Sequence, residues 1–309
     1  MLYVLLIVIG VIVFIAIAGL VAIPIIISRQ FIGRRFEQKQ FDSRDVGVVS
    51  ERIALKTDDH LTLAAWRTKS NNERTKGTII ILSGIMNPSV TMYFGFAKMF
   101  AEHGWDSLLV EMRARSLSEG TTTGLGMTEW LDVKAAVDYL TNDNIANALP
   151  IIAMGTSMGG GTVLTAAGEL PRIDAVISMS GFAAFIDMAV EILPSFGIPK
   201  FIARMDRPFI KFVFGIRLGF GYLKYTPIKG LAKLGNRPLL LMHTTEDKEV
   251  PFSQYEKLLA EAKKYNINVT AFSREGNHHF VCYHEHMHQP MEDKDFSEAI
   301  LKFLSTVSE

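Results

Sequence analysis

The sequence predicts an α/β fold in which a mostly parallel β-sheet is covered by helices on both faces. From Val46 onward, short runs rich in β-branched residues alternate with longer amphipathic runs. Strands that alternate with helices are typical of parallel sheets, whose strands are buried on both sides. After an apolar N-terminal segment, about 270 residues remain, which is enough for one large domain.

The order of the predicted elements follows from these runs. Strands are predicted at Arg52–Lys56, Leu61–Thr68, Thr78–Ser83, Ser107–Glu111, Ile151–Met154, Ala175–Met179, Leu239–His243 and Val269–Phe272. Helices are predicted near Tyr93–His103, Thr128–Leu140, Met158–Glu169, Ser253–Tyr265 and Lys294–Val307. The first two strands, joined around Asp58, are expected to form an antiparallel hairpin at the sheet edge.

The N-terminal segment is a long apolar run, since Leu2 to Ile27 contains no charged residue. A helix over this run would be ~39 Å long, which exceeds the ~30 Å hydrocarbon core of a bilayer. The run lacks the basic flank and the small-residue cleavage site of a signal peptide. The sequence therefore predicts a single-pass transmembrane anchor over residues 1–28.

Basic residues follow the apolar run at Arg29, Arg34, Arg35 and Lys39. The positive-inside tendency places this flank and the rest of the chain on the cytoplasmic side. Residues 29–45 are interpreted as a charged juxtamembrane stalk and residues 46–309 as the folded domain. Overall, 32 basic residues balance 32 acidic ones, so the charge gives no reason to expect nucleic acid as a partner.

A long insertion breaks the alternation of strands and helices at residues 182–234. It carries many phenylalanines, and Pro194, Pro199 and Pro208 interrupt it. Connections of this length are uncommon in compact domains and often serve as lids over a site. We interpret the insertion as a lid of short helices; an ordinary stabilising insertion with its own small core is the alternative.

The motif that carries chemistry is Gly155-Thr156-Ser157-Met158-Gly159. It follows a predicted strand and precedes a predicted helix, which is the context of a G-x-S-x-G nucleophile elbow. The glycines on either side of the serine allow a turn so tight that a Cβ there would meet neighbouring backbone. Ser157 is therefore the predicted nucleophile.

A serine hydroxyl needs a base, and the base needs a carboxylate to orient it. Two acidic residues, Glu246 and Asp247, follow the strand Leu239–His243. Two histidines, His278 and His279, follow the last strand. All lie in strand-exit loops, in the chain order nucleophile, acid, base.

From about Ile53 to Phe303 the sequence resembles the α/β-hydrolase superfamily, in its esterase, lipase and acyl-hydrolase branch. The family's H-G-x-x-D…V-P segment is similar to the stretch from His243 to Pro251, and this resemblance assigns the acid to Asp247. The resemblance implies an α/β-hydrolase fold and acyl transfer by a serine nucleophile, without a metal or cofactor.

The same resemblance bears on the base and on the oxyanion hole. The family's G-x-H-x-F segment matches Gly276 to Phe280, which favours His278 as the base and leaves His279 as the alternative. The oxyanion donors implied by motif position are the backbone N–H groups of Ile85 and Met158. The family's usual His-Gly after the third strand is replaced by Ser83-Gly84, which affects loop geometry rather than the principle of the hole.

The apolar anchor and the phenylalanine-rich insertion predict a lipid-like or apolar acyl ester or thioester as substrate, and the bilayer as a partner. A prolyl-oligopeptidase-like peptidase is the alternative enzyme. A non-catalytic membrane-tethered binding protein on a hydrolase frame is the alternative from another class. A histidine cluster with metal-ligand spacing at His284 and His288 leaves a metal-dependent hydrolase as a third hypothesis.

Overall fold

The computed structural model describes residues 2–85, 89–142 and 149–307 of the chain. Its strands are β1 (Glu51–Lys56), β2 (Thr62–Thr68), β3 (Thr78–Leu82), β4 (Asp106–Val110), β5 (Ile151–Thr156), β6 (Ala175–Met179), β7 (Leu239–Thr244) and β8 (Val269–Arg274). Within the described residues these eight strands form one sheet in the order β1-β2-β4-β3-β5-β6-β7-β8. Each predicted strand is present.

The direction of the strands is mixed only at one edge. β1 is antiparallel to β2, and β2 is antiparallel to β4. All remaining pairs are parallel. The predicted edge hairpin and the mostly parallel sheet are therefore confirmed. Because β3 to β8 run parallel, the loops after their carboxyl ends meet at one edge of the sheet, where ligand sites of open α/β sheets form.

Helices cover both faces of this sheet. In chain order, the helices of the described residues are α1 (Leu2–Phe31), α2 (Phe94–Glu102), α3 (Trp130–Asn142), α4 (Met158–Glu169), α5 (Phe185–Ile192), α6 (Lys200–Leu218), α7 (Pro227–Leu231), α8 (Phe252–Lys264) and α9 (Lys294–Ser305). Alternate residues of β3 enter two separate cores. Ile79 and Ile81 pack with α2 and α9, whereas Ile80 and Leu82 pack with α3, α4 and α8. The predicted covering of both faces is confirmed.

The structure does not support the predicted membrane anchor. No helix within residues 2–85, 89–142 and 149–307 combines the length and the apolar character that crossing a bilayer requires. The single-pass anchor over residues 1–28 and the cytoplasmic orientation predicted with it are therefore not supported.

The C-terminal turns of α1 belong instead to the folded body. Pro24, Ser28 and Ile32 recur at a spacing of four residues and are buried, so they form one face of the helix. Arg217 of α6 donates hydrogen bonds to the Ser28 hydroxyl and to the Ile32 carbonyl. The face of α1 that this arginine holds is thus packed against protein.

The segment predicted as a juxtamembrane stalk also lies against the domain. Phe36 donates its N–H to the carbonyl of Ala114, and Ser89 donates its N–H to the carbonyl of Lys39. The ring of Phe36 lies under the guanidinium of Arg115, 5.5 Å from the ring centre. Residues 34–41 are therefore held along the loops that follow β3 and β4, and the stalk interpretation is corrected.

The insertion between β6 and β7 is helical, as predicted, but its main helix is long. It contains α5, α6 and α7, and α6 alone has 19 residues. One face of α6 is buried at Ala203, Asp206, Ile210 and Phe214. The opposite face leaves large apolar side chains exposed. Its role as a lid stays a prediction.

Asp206 is the odd member of the buried face of α6. Its side chain is inaccessible, and neither carboxylate oxygen has a hydrogen-bond partner among the described residues. Burial raises the pKa of Asp206 from 3.8 to about 6. A buried ionised carboxylate without partners costs folding free energy, so this group opposes the docking of the insertion at neutral pH.

We expect Asp206→Asn to stabilise the protein in a pH-dependent way. Because the folded pKa exceeds the unfolded one, the cost of Asp206 is absent below about pH 4, grows through pH 4 to 6 and is complete above that. Denaturant unfolding at pH 8 should show a gain of about 1 to 3 kcal/mol, and unfolding at pH 4 almost none. Asp187→Asn, at a half-exposed ion pair with Arg207, is the control and should change stability by less than about 1 kcal/mol. An equal gain at both pH values would contradict this assignment.

Candidate active site

The turn that carries Ser157 is sterically fixed by two glycines. Ser157 follows β5 with φ 57° and ψ −118°, a left-handed conformation that non-glycine residues adopt only when the surroundings enforce it. A Cβ on Gly155 would come within 2.3 Å of the Gly159 backbone, and one on Gly159 within 2.7 Å of the carbonyl oxygens of Leu82 and Ser83. The predicted elbow is thus present, with the serine between β5 and α4.

Asp247 lies in the loop after β7 and is held as a buried carboxylate. Oδ1 accepts the N–H groups of Glu249 and Val250 at 2.8 and 3.0 Å. Oδ2 is 2.8 Å from Nδ1 of His279. Burial acts to raise the pKa of Asp247, but the hydrogen bond and charge of His279 outweigh it and hold the pKa below its usual range. Asp247 is therefore ionised at neutral pH, as an orienting carboxylate must be.

The structure pairs Asp247 with His279 rather than with His278. The ring of His279 is 6 % exposed and reaches the carboxylate. The ring of His278 packs edge-on against Tyr283, with ring centres 4.6 Å apart. Consecutive residues of this loop point their side chains in different directions, so only one of the two can face the acid. This contact with Asp247 favours His279, the alternative that the sequence left open, over His278 as the base.

The second ring nitrogen of His279 is available for chemistry. Nε2 is buried and has no hydrogen-bond partner among the described residues. The nearest carboxylate oxygen is Oε2 of Glu249, at 3.5 Å, which is beyond a good hydrogen bond. Because Nδ1–H donates a hydrogen bond to Asp247, the proton of the neutral ring is on Nδ1 and Nε2 is the acceptor. A base with a free acceptor atom can therefore take a proton at this position.

His243 supports the acid from beneath and has no part in the predicted triad. Its Nε2 is 2.9 Å from the carbonyl of Val250 and 3.5 Å from Oδ2 of Asp247. Burial lowers the pKa of His243, so the ring is neutral and Nε2 donates to the Val250 carbonyl. This contact fixes the loop whose N–H groups bind Asp247.

Both residues predicted to form the oxyanion hole border the same cavity as Ser157. Ile85 follows β3, and Met158 is the first residue of α4. Arg115, which is fully buried, lies against both: Nη1 donates to the Ile85 carbonyl at 2.8 Å, and Nη2 is 3.6 Å from Sδ of Met158. Residues 86–88, which continue this loop, lie outside the described residues.

The sequence analysis did not identify Arg115 as a site residue. Its guanidinium links the loop after β3 to the first turn of α4 through these two contacts. The sequence feature that could have identified it is a second arginine two residues after Arg113, in the loop that follows β4. An arginine is seldom fully buried unless it has a partner.

Ser157 opens into an apolar cavity of about 400 Å³. Its lining is mostly aliphatic and aromatic, and Lys248 and Glu249 supply the charged groups. The aromatic lining residues are Phe31, Phe182, Phe185 and Phe196. A concave, mostly apolar pocket with a few polar groups at the reacting end is the usual form of a small-molecule site.

The histidine cluster after the base does not form a metal site. His284 lies in a short 3-10 turn that ends at His286, so His284 and His288 do not share the helix face that their spacing predicted. His286 pairs with Glu292, and the ring of His288 packs against Phe41. Among the described residues, no three histidine, cysteine or carboxylate side chains are grouped so that they could hold a metal ion.

Comparison with known proteins agrees with this architecture. A family model described as "Serine aminopeptidase, S33" matches residues 73–219. The YfhR protein of Salmonella typhimurium is 23% identical over 246 residues, or 74% of each chain. The Pyrococcus furiosus esterase Pf2001 superposes with a TM-score of 0.70 at 18% identity, over 90% of this chain and 99% of that one.

A second solved structure belongs to a peptidase. The acylaminoacyl peptidase of Pyrococcus horikoshii superposes with a TM-score of 0.61 at 20% identity, over 85% of this chain and 42% of that one. The family model covers Ser157 but ends before Asp247 and His279. Together with the strand order, these matches show that the chain has the α/β-hydrolase fold.

The assignment of the base can be tested by the reactivity of Ser157. We expect His279→Ala to slow covalent labelling by a fluorophosphonate about 1,000-fold or more, because the hydroxyl loses its proton acceptor. His278→Ala should label within about threefold of the wild type, and Ser157→Ala should not label at all. Labelling rates would be measured by quenched time courses on folded protein. Loss of labelling in His278→Ala with retention in His279→Ala would restore the original assignment.

Proposed function

We propose that this α/β-hydrolase is a serine hydrolase that cleaves carboxylic ester or thioester bonds through an acyl-enzyme. The observation that carries the proposal is the pairing of buried Asp247 with His279, whose Nε2 has no hydrogen-bond partner among the described residues. That nitrogen lies 3.5 Å from the carboxylate of Glu249, which lines the same cavity as Ser157. An acid, a base and a nucleophile on an elbow form the arrangement that acyl transfer requires.

The reaction proceeds in two balanced steps. Nε2 of His279 takes the proton of the Ser157 hydroxyl while Oγ forms a bond to the substrate carbonyl carbon. The N–H groups of Ile85 and Met158 stabilise the oxyanion; removing one such donor typically slows a reaction of this kind about 100-fold or more. His279 then donates its proton to the leaving alcohol or thiol. Water, deprotonated by the same nitrogen, then bonds to the acyl carbon. The bond between that carbon and Oγ breaks as His279 returns the proton to Oγ, which releases the acid and restores Ser157.

The cavity favours a substrate with an apolar acyl group. Its volume of about 400 Å³ is bounded by phenylalanine and aliphatic side chains from α5 and from the end of α1. Burial of each methylene contributes about 0.8 kcal/mol, so a chain of several methylenes gains substantial binding energy there. A lipid ester, a monoacylglycerol, a lysolipid or an acyl thioester fits this chemistry.

A peptidase is the second candidate, and one contact favours it. Glu249 lines the cavity with its carboxylate 3.5 Å from Nε2 of His279. A carboxylate there can pair with the α-amino group of a peptide, and both a serine aminopeptidase model and an acylaminoacyl peptidase resemble this chain. The apolar lining supports the ester proposal over this alternative. A non-catalytic binding protein would not require the hydrogen-bonded pair of Asp247 and His279.

A lipid surface is the partner that we propose for the insertion. The exposed side chains Phe201, Met205, Phe209, Phe212 and Ile216 recur at helical spacing along α6 and form one stripe. Lys200, Arg204 and Lys211 are exposed on the same helix, whereas its one acid, Asp206, is buried. An apolar helix face flanked by cations is suited to lie in the interface of an anionic membrane.

Turnover of 4-nitrophenyl esters of graded chain length tests the proposed function. We expect kcat/KM to rise about tenfold or more from acetyl to octanoyl or decanoyl esters, because added methylenes enter the cavity. Aminoacyl nitroanilides should be turned over at least about 100-fold more slowly than these esters, because an unblocked amine loses its hydration in a mostly apolar cavity. A preference for acetyl esters together with efficient nitroanilide cleavage would support the peptidase. No turnover and no Ser157 labelling would favour a binding protein.

The lipid-surface proposal can be separated from the chemistry by presenting substrate in two forms. We expect Phe209→Ser/Phe212→Ser to lower the activity on an ester held in phosphatidylglycerol vesicles, relative to a water-soluble ester, by about tenfold. Vesicles of phosphatidylcholine alone should show a smaller difference. Val49→Ser, which changes an exposed apolar residue remote from α6, is the control. An unchanged ratio in the double variant would contradict the proposal.

A further inference from the structure

One wall of the cavity that Ser157 lines is formed by the N-terminal helix α1. Ile27, Gln30 and Phe31, all in the last turns of α1, line it together with Ser157 and Met158. These residues lie in the part of the chain that the sequence assigned to an anchor and a stalk, remote from the chemistry. The N-terminal helix therefore contributes directly to the space in which an acyl group would lie.

The end of α1 is held in this position by the insertion. Arg217 of α6 donates Nη1 to the Ser28 hydroxyl at 3.1 Å and Nη2 to the Ile32 carbonyl at 2.7 Å. A cation beside the last carbonyls of a helix is favourable because those carbonyls have no partner within the helix. Gly33 has φ 77°, and a Cβ there would lie 3.0 Å from Nη2 of Arg217. The glycine lets the guanidinium approach the helix end.

Aromatic contacts extend the wall from α1 into the insertion. The ring of Phe31 meets the ring of Phe185 edge to face, with centres 5.7 Å apart. Phe185 in turn contacts Phe182 at 5.8 Å and Phe214 of α6 at 5.9 Å. Phe31, Phe182 and Phe185 all line the cavity. Displacement of the end of α1 would open this wall without moving the loops that hold Asp247 and His279.

We infer that the last turns of α1 form the acyl-chain wall of the substrate site, and that Arg217 clamps them there. The inference rests on the proposed function and deepens it by naming what selects the acyl chain. Every ester places its carbonyl at Ser157 and the oxyanion donors, whatever its length. Only a chain long enough to fill the cavity contacts Phe31 and Ile27, so these side chains act on the preference for long over short chains.

The ratio of kcat/KM for decanoyl and acetyl esters measures this wall directly. Phe31→Ala should lower the ratio about tenfold, and Arg217→Ala should lower it in the same direction by releasing the helix end. Arg207→Ala is the matched control for the clamp, because Arg207 lies on the same helix but pairs with Asp187 rather than with α1. Tyr265→Ala is the control for removal of an aromatic ring, at an exposed position away from the cavity. Both controls should keep the wild-type ratio.

Binding without turnover separates this inference from the proposed function. In protein that carries Ser157→Ala, displacement of a fluorescent fatty acid by laurate should be about tenfold weaker when Phe31→Ala is added. If the wild type turns over no ester but this loss of laurate affinity is found, the proposed function fails and the wall stands. If Phe31→Ala destabilises the fold, Phe31→Leu replaces it in both assays and should give a smaller shift of the same sign. A ratio and a laurate affinity within about twofold of the wild type in Phe31→Ala, or an Arg217→Ala that behaves as Arg207→Ala, would overturn the inference.

Discussion

The close approach of the elbow to its neighbouring strand is the constraint on which the site depends. Gly159 lies so near the last carbonyls of β3 that no side chain fits between them. This contact sets the start of α4 directly beside the end of β3, and it forces Ser157 into its left-handed conformation. The cost of that strained residue, of order 1–3 kcal/mol, is offset by burial of β5 and α4. Ile85 and Met158 come together because those two elements do.

The hydrogen bonds around Asp247 compensate for the burial of its charge. Asp247 is removed from water, yet hydrogen bonds from two backbone N–H groups and from the imidazole of His279 keep it ionised. His243 stays neutral beneath it and fastens the same loop. Among the described residues, Asp247 hydrogen-bonds to one imidazole ring, that of His279. The arrangement fixes the tautomer of the base before any substrate arrives, and a preorganised base costs no reorganisation during the reaction.

The N-terminal helix and the insertion depend on each other in a way that their positions in the chain conceal. Almost 190 residues separate Ser28 from Arg217, yet their contact closes one side of the cavity. The same helix α6 carries a guanidinium that satisfies the end of α1 and a carboxylate, Asp206, that has no partner. The exposed charge of Arg217 thus favours docking of the insertion, whereas the buried carboxylate of Asp206 opposes it.

Much of the architecture was fixed by local sequence. Alternating apolar runs determined the strands, the edge hairpin and the covering of both faces, because burial on a sheet demands that pattern. The G-x-S-x-G motif predicted Ser157 as the nucleophile, because its two glycines allow a tight turn within five residues. The place after a strand limited the acid to Glu246 or Asp247, and the resemblance to the family's segment favoured Asp247. These features depend on neighbours along the chain, and the sequence records neighbours along the chain directly.

Other features were decided only by tertiary contacts. His278 and His279 are adjacent in sequence and chemically identical, so only the direction of each side chain in the folded loop assigns the base. The apolar run at the N-terminus specified a helix but not the protein surface against which its end packs. Arg115 became a site residue because two loops close around it. In each case a contact between distant segments determines the role, and no local pattern encodes such a contact.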